Sequence, residues 1–257
     1  MDTYEYIDPS LDLTGMTAVV TGAAKGIGWA IAKLMAEKGA TVAMIDASDL
    51  VQERLGELQS ISPNSKAFVC DITDKPSIES TIERIKSVFG SLDILINNAG
   101  VVRLDAAENL SEEDWDLTLN VNLKGHFLVS QAVGRIMIAQ KHGKIVNIAS
   151  QAGVVALDKH VAYCASKAAI ISMTKVLGLE WAKYGIQVNA VSPTVVMTEL
   201  GKKAWAGEVG ENMKKKIPAG RFAMPEEIAA AVLFLASSCA NMITGENLII
   251  DGGYTIQ

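Results

Sequence analysis

The chain lacks most of what would mark a secreted, metal-binding or nucleic-acid-binding protein. It has three cysteines, Cys70, Cys164 and Cys239, an odd number set far apart. That excludes a closed disulfide framework and offers no metal spacing, so they read as reduced thiols of a cytoplasmic protein. His160 has no partner at ligand spacing, and no metal is expected. There is no basic block, and the net charge is −6, which argues against nucleic acid as a partner. No apolar run reaches the roughly eighteen residues of a membrane span. The acidic stretch from Met1 to Asp8 has neither the basic nor the apolar region of a signal peptide. Charged residues make up only 20% of the chain against 49% hydrophobic, enough for a sizeable core.

What is present is a regular alternation. Short, nearly uniform apolar runs lie at Thr17–Thr21, Thr41–Asp46, Ala67–Cys70, Ile94–Asn97, Lys144–Ile148, Gln187–Ser192 and Asn247–Ile250. Such runs fit parallel strands covered on both faces. Helical stretches such as Ile27–Lys38, Pro76–Phe89 and Pro225–Ala236 separate them, and Asp74 and Ser111 stand where side chains cap helix starts. Repeated βαβ units with right-handed crossovers predict an α/β fold. The expectation is one doubly wound, Rossmann-type domain over 1–257, a seven-stranded parallel sheet with helices on both faces. A short N-terminal arm (1–14) and a lid at about 198–217 complete it.

Two segments, 115–140 and 162–184, are apolar on more than one stripe, with Leu117, Val121, Phe127, Val133 and Ile136 in the first. A helix apolar on several sides is buried on several sides, in a core or in a subunit interface. Both readings stand at this point.

The first strand runs into Thr21-Gly22-Ala-Ala-Lys25-Gly26-Ile27-Gly28 and then a helix. A glycine-rich turn in that place lets the backbone approach a pyrophosphate and aims helix N-terminal amides at it. Asp46 closes the second strand eighteen residues beyond Gly28. A carboxylate there accepts from both ribose hydroxyls and repels a 2′-phosphate, which favours NAD over NADP. Lys25 is the one residue pulling toward NADP.

Tyr163 and Lys167 stand four residues apart, one helical turn, and Ser150 precedes the tyrosine by thirteen residues at the end of an apolar run. A free tyrosine ionises near ~10, so an ammonium beside it is needed to favour the phenolate. Lowering that value by about three units takes roughly 4 kcal/mol. A serine hydroxyl converging on the same point can hold a substrate oxygen during proton transfer.

These residues, taken in order, resemble the short-chain dehydrogenase/reductase family over essentially the full chain. The resemblance rests on the Thr21–Gly28 loop, Asp71-Ile72, Asn97-Asn-Ala-Gly100, Asn122 within Asn-Val-Asn-Leu-Lys-Gly125, Ser150, Tyr163-Cys-Ala-Ser-Lys167, Val188-Asn-Ala-Val-Ser-Pro193 and Asp251-Gly-Gly253. It implies that Asp71 and Ile72 hold the adenine, and that Asn98, Ala99 and Gly100 line the adenosine ribose. Tyr163 and Lys167 would hold the nicotinamide ribose, with Pro193, Val196 and Thr198 at the carboxamide. Asn122 would support a water chain leading the proton away from Lys167. The chain departs from the family pattern at Ala149, where a second serine is common, and at Thr194, where glycine is common. The threonine narrows the pocket floor, as in members acting on sugars and small dicarbonyls.

The catalytic set implied is Asn122, Ser150, Tyr163 and Lys167. Substrate is expected to meet Ser150, Gln151, His160 and Trp205, with Asp158 in reach and Met197 and Leu200 supplying apolar wall. The expected function is NAD-dependent, reversible oxidation of a secondary alcohol, a polyol or sugar alcohol, to its ketone. The alternative is an NADPH-dependent 3-ketoacyl or carbonyl reductase. A homotetramer or homodimer through the 115–140 and 162–184 helices is the expected assembly.

Overall fold

The computed structural model describes residues 9–257. Seven strands form one parallel sheet: β1 (Thr17–Thr21), β2 (Thr41–Asp46), β3 (Lys66–Val69), β4 (Ile94–Asn97), β5 (Gly143–Ile148), β6 (Ile186–Pro193) and β7 (Asn247–Ile250). Their order is β3-β2-β1-β4-β5-β6-β7. Every residue of β1 and β4 is buried, as their unbroken apolar runs require when both faces are covered. The strands at the two edges are the least buried.

Helices α1 (Gly26–Glu37), α2 (Leu50–Gln59) and α9 (Pro225–Ala236) pack with Val20, Val42, Ile96 and Val146 on one face. On the other, α3 (Lys75–Phe89), α5 (His126–Gln140) and α6 (Val161–Trp181) pack with Val19, Ile45, Leu95 and Ile145. The order of strand addition reverses between β1 and β4, the point at which open α/β sheets leave a crevice beyond their strand ends. Both loops singled out in the sequence, after Thr21 and after Asn97, leave the sheet there. Among the described residues no helix is long and apolar enough to cross a membrane.

Three expectations need correction. The 115–140 segment is not one helix: α4 (Glu112–Leu119) runs into a π-helical turn, Asn120–Gly125, before α5 begins. A π turn inserts an extra residue into the ladder and rotates the following face. Gly125 closes it against Ile72, where a Cβ would lie 2.8 Å from Ile72 Cδ1. The 162–184 segment is α6 followed by a 3₁₀ turn, Ala182–Tyr184. Asp74 occupies its N-cap position without a side-chain cap bond. Asp71 closes the preceding turn instead, accepting from Thr73 N at 2.8 Å. Ser111 does cap α4, accepting from Asp114 N at 3.1 Å.

Of the expected arm, residues 1–8 lie outside the described residues. Ser10 is tied to Ser238, and Leu13 is fully buried, with its amide donating to Lys38 O. The segment expected to form a lid folds as α7 (Glu199–Ala204) and α8 (Glu208–Lys214). Met213, Ile217 and Phe222 form a small apolar cluster of their own there, with Trp205 and Tyr254 against it.

Candidate active site

The glycine loop is held by the neighbouring strand's loop. Asn98 Nδ2 donates to Thr21 O at 3.0 Å and to Gly22 O at 3.1 Å, while Thr21 Oγ1 accepts from the amides of Asn98 and Ala99. Gly22 has φ +63°, and a Cβ on it would sit 2.8 Å from Ala99 Cα. At Gly28 the added atom would lie 2.1 Å from Gly22 O. Only glycine allows backbone to pass backbone this closely. Lys25 stands at the N-cap of α1 with an exposed side chain and no side-chain cap bond. The first-turn amides beyond it, Gly26 and Ile27, are therefore left without a side-chain partner at the positive end of the helix dipole.

Asp46 faces this loop from the end of β2. Its Oδ2 accepts from Ala24 N and its Oδ1 from Ser48 N, both at 3.0 Å. Each carboxylate oxygen retains a lone pair for a further donor. Asp71 lies at the surface and Ile72 is buried, together at the end of the neighbouring β3. Gly100 is exposed in the crevice, with Lys167 Nζ 3.8 Å from where its Cβ would be. Val196 pairs with Ala223. Thr198 caps α7 by accepting from Gly201 N at 3.0 Å, and its methyl lies 3.2 Å from the Cβ position of Gly26. From Pro193, the last residue of β6, the chain thus runs through Val196 and Thr198 toward the same loop. These groups fit a dinucleotide: close-approach glycines, free helix amides and a carboxylate with lone pairs left for further donors.

Ser150, Tyr163 and Lys167 come together where β5 meets α6. Ser150 is extended and buried, and its Oγ accepts from Ala152 N at 3.1 Å. Lys167 is buried, lies with Nζ 5.7 Å from the Tyr163 ring centroid and donates to Ile148 O at 2.7 Å. An ammonium has three donors; this bond uses one of them. Burial pushes Lys167 down to about 8.

The phenol does not behave as the sequence suggests. Tyr163 lies above the usual tyrosine range, chiefly through desolvation, with a hydrogen bond to Ser150 pulling the other way. The Lys167 ammonium spends its one bond here on the Ile148 carbonyl. In the protein by itself, then, the phenol is in its proton-donating form.

Asn122 is fully buried in the π turn. Its Oδ1 accepts from Val101 N at 2.8 Å, and its Nδ2 donates to Val101 O at 2.9 Å and Ser166 Oγ at 3.2 Å. The side chain therefore clamps the loop after Asn98-Ala99-Gly100 to α6. His160 reaches Tyr163 edge-on, ring centroids 6.1 Å apart, and Gln151 is buried beside Ser150. Trp205 is turned to the lid's own cluster, 5.9 Å from Phe222. The side chain of Leu200 lies outside the described residues.

Two features were missed. A polar ladder runs under the site from Ser130 to Asn97, Asn147 and Thr174 through bonds of 2.8–2.9 Å. An asparagine inside each of two apolar strands was its signal. The second is His126, fully buried directly after the π turn, with Nε2 2.6 Å from Ala99 O. Since a carbonyl only accepts, Nε2 carries the proton. Burial, and then the charge of Lys167, push His126 down to about 3 from an ordinary value of 6.5. A histidine depressed on folding contributes stability that is complete above 6.5 and is lost as pH falls toward 3. Urea unfolding is therefore expected to show about 2 kcal/mol lost between pH 6.5 and 5, at about 1.4 kcal/mol per unit. His126→Gln, which keeps a donor for Ala99, should flatten that window; an unchanged slope would assign the loss to other groups.

Comparison with known proteins gives a consistent result. A family model described as enoyl-(acyl carrier protein) reductase matches residues 22–255. The NAD-dependent glycerol dehydrogenase of Listeria innocua serovar 6a is 59% identical over 256 residues, covering 99% of this chain and 100% of that protein. The D-threitol dehydrogenase of Mycolicibacterium smegmatis is 52% identical, covering 98% of this chain and 97% of that protein. A crystal structure of NAD⁺-bound xylitol dehydrogenase superposes with a TM-score of 0.91 at 31% identity, over 94% of this chain and 99% of that one.

Proposed function

Since the chain belongs to the short-chain dehydrogenase/reductase family, we propose that it is an NAD-dependent polyol dehydrogenase, oxidising a secondary hydroxyl reversibly to a ketone. The reading rests most on Ser150, Tyr163 and Lys167 meeting at the β5 end beside the glycine loop. The names of the relatives with 59% and 52% identity, both polyol dehydrogenases, support the substrate class.

When bound, the nicotinamide supplies the hydride acceptor. The protein positions the alcohol and moves its proton. Tyr163 Oη takes the hydroxyl proton during oxidation and returns it during reduction. Ser150 Oγ accepts from Ala152 N, and its hydroxyl, which is turned to Tyr163, is placed to donate to the reacting oxygen when substrate is bound. Lys167 has donors left for the ribose hydroxyls, and its charge assists the phenolate once the site is filled. Asn122 supports the proton path by fixing the 98–101 loop against α6 rather than by exchanging protons itself.

Gly22, Lys25, Gly26, Ile27 and Gly28 are proposed to bind the pyrophosphate, and Asp46 the adenosine ribose. Asp71 and Ile72 take the adenine, Asn98 to Gly100 the adjacent ribose, and Pro193, Val196 and Thr198 the carboxamide. Gln151 and His160 face the substrate, and Trp205 stiffens the lid. The protein is proposed to be cytoplasmic and to form a homodimer or homotetramer through α4, α5 and α6. Exposed Phe127, Val161, Val176 and Leu179, the last 82% exposed, support that surface, since exposed apolar clusters mark interfaces. The single domain with a 198–217 lid remains part of this reading.

The test is initial rates on a panel of polyols and ketoacyl substrates with each cofactor. NAD with a polyol is expected to be fastest. Asp46→Asn removes the charge that repels a 2′-phosphate, so NADP use relative to NAD should rise by about tenfold or more, each tenfold being about 1.4 kcal/mol. Faster turnover of a ketoacyl substrate with NADPH would replace this reading.

A further inference from the structure

We propose that His126 is a positioning residue for the cofactor: by holding the Ala99 carbonyl inward, it turns the backbone of Gly100 toward the nicotinamide ribose. The inference rests on the dinucleotide reading above and refines it, moving Gly100 from the adenosine ribose to the other one.

His126 directly follows the π turn and is fully buried, with Nε2 2.6 Å from Ala99 O. Asn122, four residues earlier, accepts from Val101 N and donates to Val101 O. Three backbone groups of the 99–101 loop are thus held by two side chains of one helical stretch. A trans peptide points its C=O and its N–H in opposite directions, and the described residues contain no cis bond. With Ala99 O turned to His126, the Gly100 N–H is turned away from it. With Val101 N turned to Asn122, the Gly100 C=O is turned away likewise. Neither group has a partner among the described residues. Gly100 is exposed and has no side chain to cover them.

What the two groups face follows from their neighbours. Asn98 and Ala99 lie against Gly22, whereas Gly100 is the residue beside Lys167, with Nζ 3.8 Å from its Cβ position. The loop therefore gives its first two residues to the glycine loop and its third to the ammonium that has donors left for a ribose. A ribose hydroxyl beside Lys167 can accept from the Gly100 N–H, and its neighbour can donate to the Gly100 C=O. Burial and the charge of Lys167 keep the His126 ring neutral, so it takes no proton from Lys167 and its task is orientation. A peptide fixed before the cofactor arrives loses less freedom on binding.

The experiment measures Kd for NADH, ADP-ribose and ADP by calorimetric titration in the wild type, His126→Leu and His126→Gln. ADP-ribose carries the second ribose and ADP does not. His126→Leu is expected to weaken NADH and ADP-ribose by about tenfold, and ADP by less than about twofold. His126→Gln keeps a donor for Ala99 and should return both to within about threefold of the wild type. A role in folding alone would lower the melting temperature of His126→Leu and leave the ratio of ADP-ribose to ADP affinity unchanged, which overturns the proposal. Equal weakening of ADP overturns it too, by returning Gly100 to the adenosine ribose. A wild type that binds none of the three overturns the dinucleotide reading and this one with it. Should His126→Leu fail to fold, His126→Asn, whose shorter amide stops short of Ala99, decides by the same ratio.

Discussion

Tyr163→Phe is expected to fold, to bind NADH as the wild type does and to lose at least about 100-fold in turnover, within the range for removing a positioned acid or base. The expectation follows from how little else the substitution changes. The ring stays, so its packing beside His160 and below Lys167 is retained. The lost oxygen is the atom hydrogen-bonded to Ser150. Because desolvation raises this phenol, the wild type should oxidise alcohol faster as pH rises and reduce ketone faster as it falls. The phenylalanine variant should lose that dependence along with the rate. Near-normal turnover would remove Tyr163 from the chemistry.

Lys167→Met should be nearly as damaging, for a different reason. The ammonium sits at 3% exposure with one bond to a carbonyl, and burial has pushed it down to about 8. A buried cation with donors unspent is held at a cost, and ribose hydroxyls are the partners that offset it. Hydrogen bonds to a charged group contribute about 1.5–3 kcal/mol. The variant is therefore expected to raise the Kd for NAD by about tenfold to 100-fold and to lower turnover further by leaving the phenol without a cation. Its stability should hold, since the penalty of the buried charge goes with the charge, while the Ile148 carbonyl loses a donor. Calorimetric titration with NAD and thermal melting separate the two effects. Unchanged NAD affinity would sink the ribose role.

The parts of this molecule readable in its sequence were those governed by local chemistry. Uniform apolar runs gave β1, β2 and β4 to the residue, because a strand buried on both faces leaves no other pattern, and the half-buried edge strand β7 was found from its apolar run alone. The glycine loop was readable because a Cβ at Gly22 or Gly28 is sterically forbidden. What escaped depended on contacts across the fold. The π turn at Asn120–Gly125 leaves the apolar pattern almost untouched, and Gly125 against Ile72 was its one trace. The direction of Lys167 is set by the end of β5, nineteen residues away, so the spacing to Tyr163 correctly predicted neighbours but not the sign of the phenol's shift. Trp205 looked like pocket wall and is instead turned to Phe222.

The lid cluster of Met213, Ile217 and Phe222 stands apart from the two large cores that grip the sheet. It divides the chain's mutational economy. Substitutions there leave the residues that keep the sheet folded as they are. Under the proposed lid role, a directed-evolution library limited to 199–222 varies specificity while the two sheet cores stay intact.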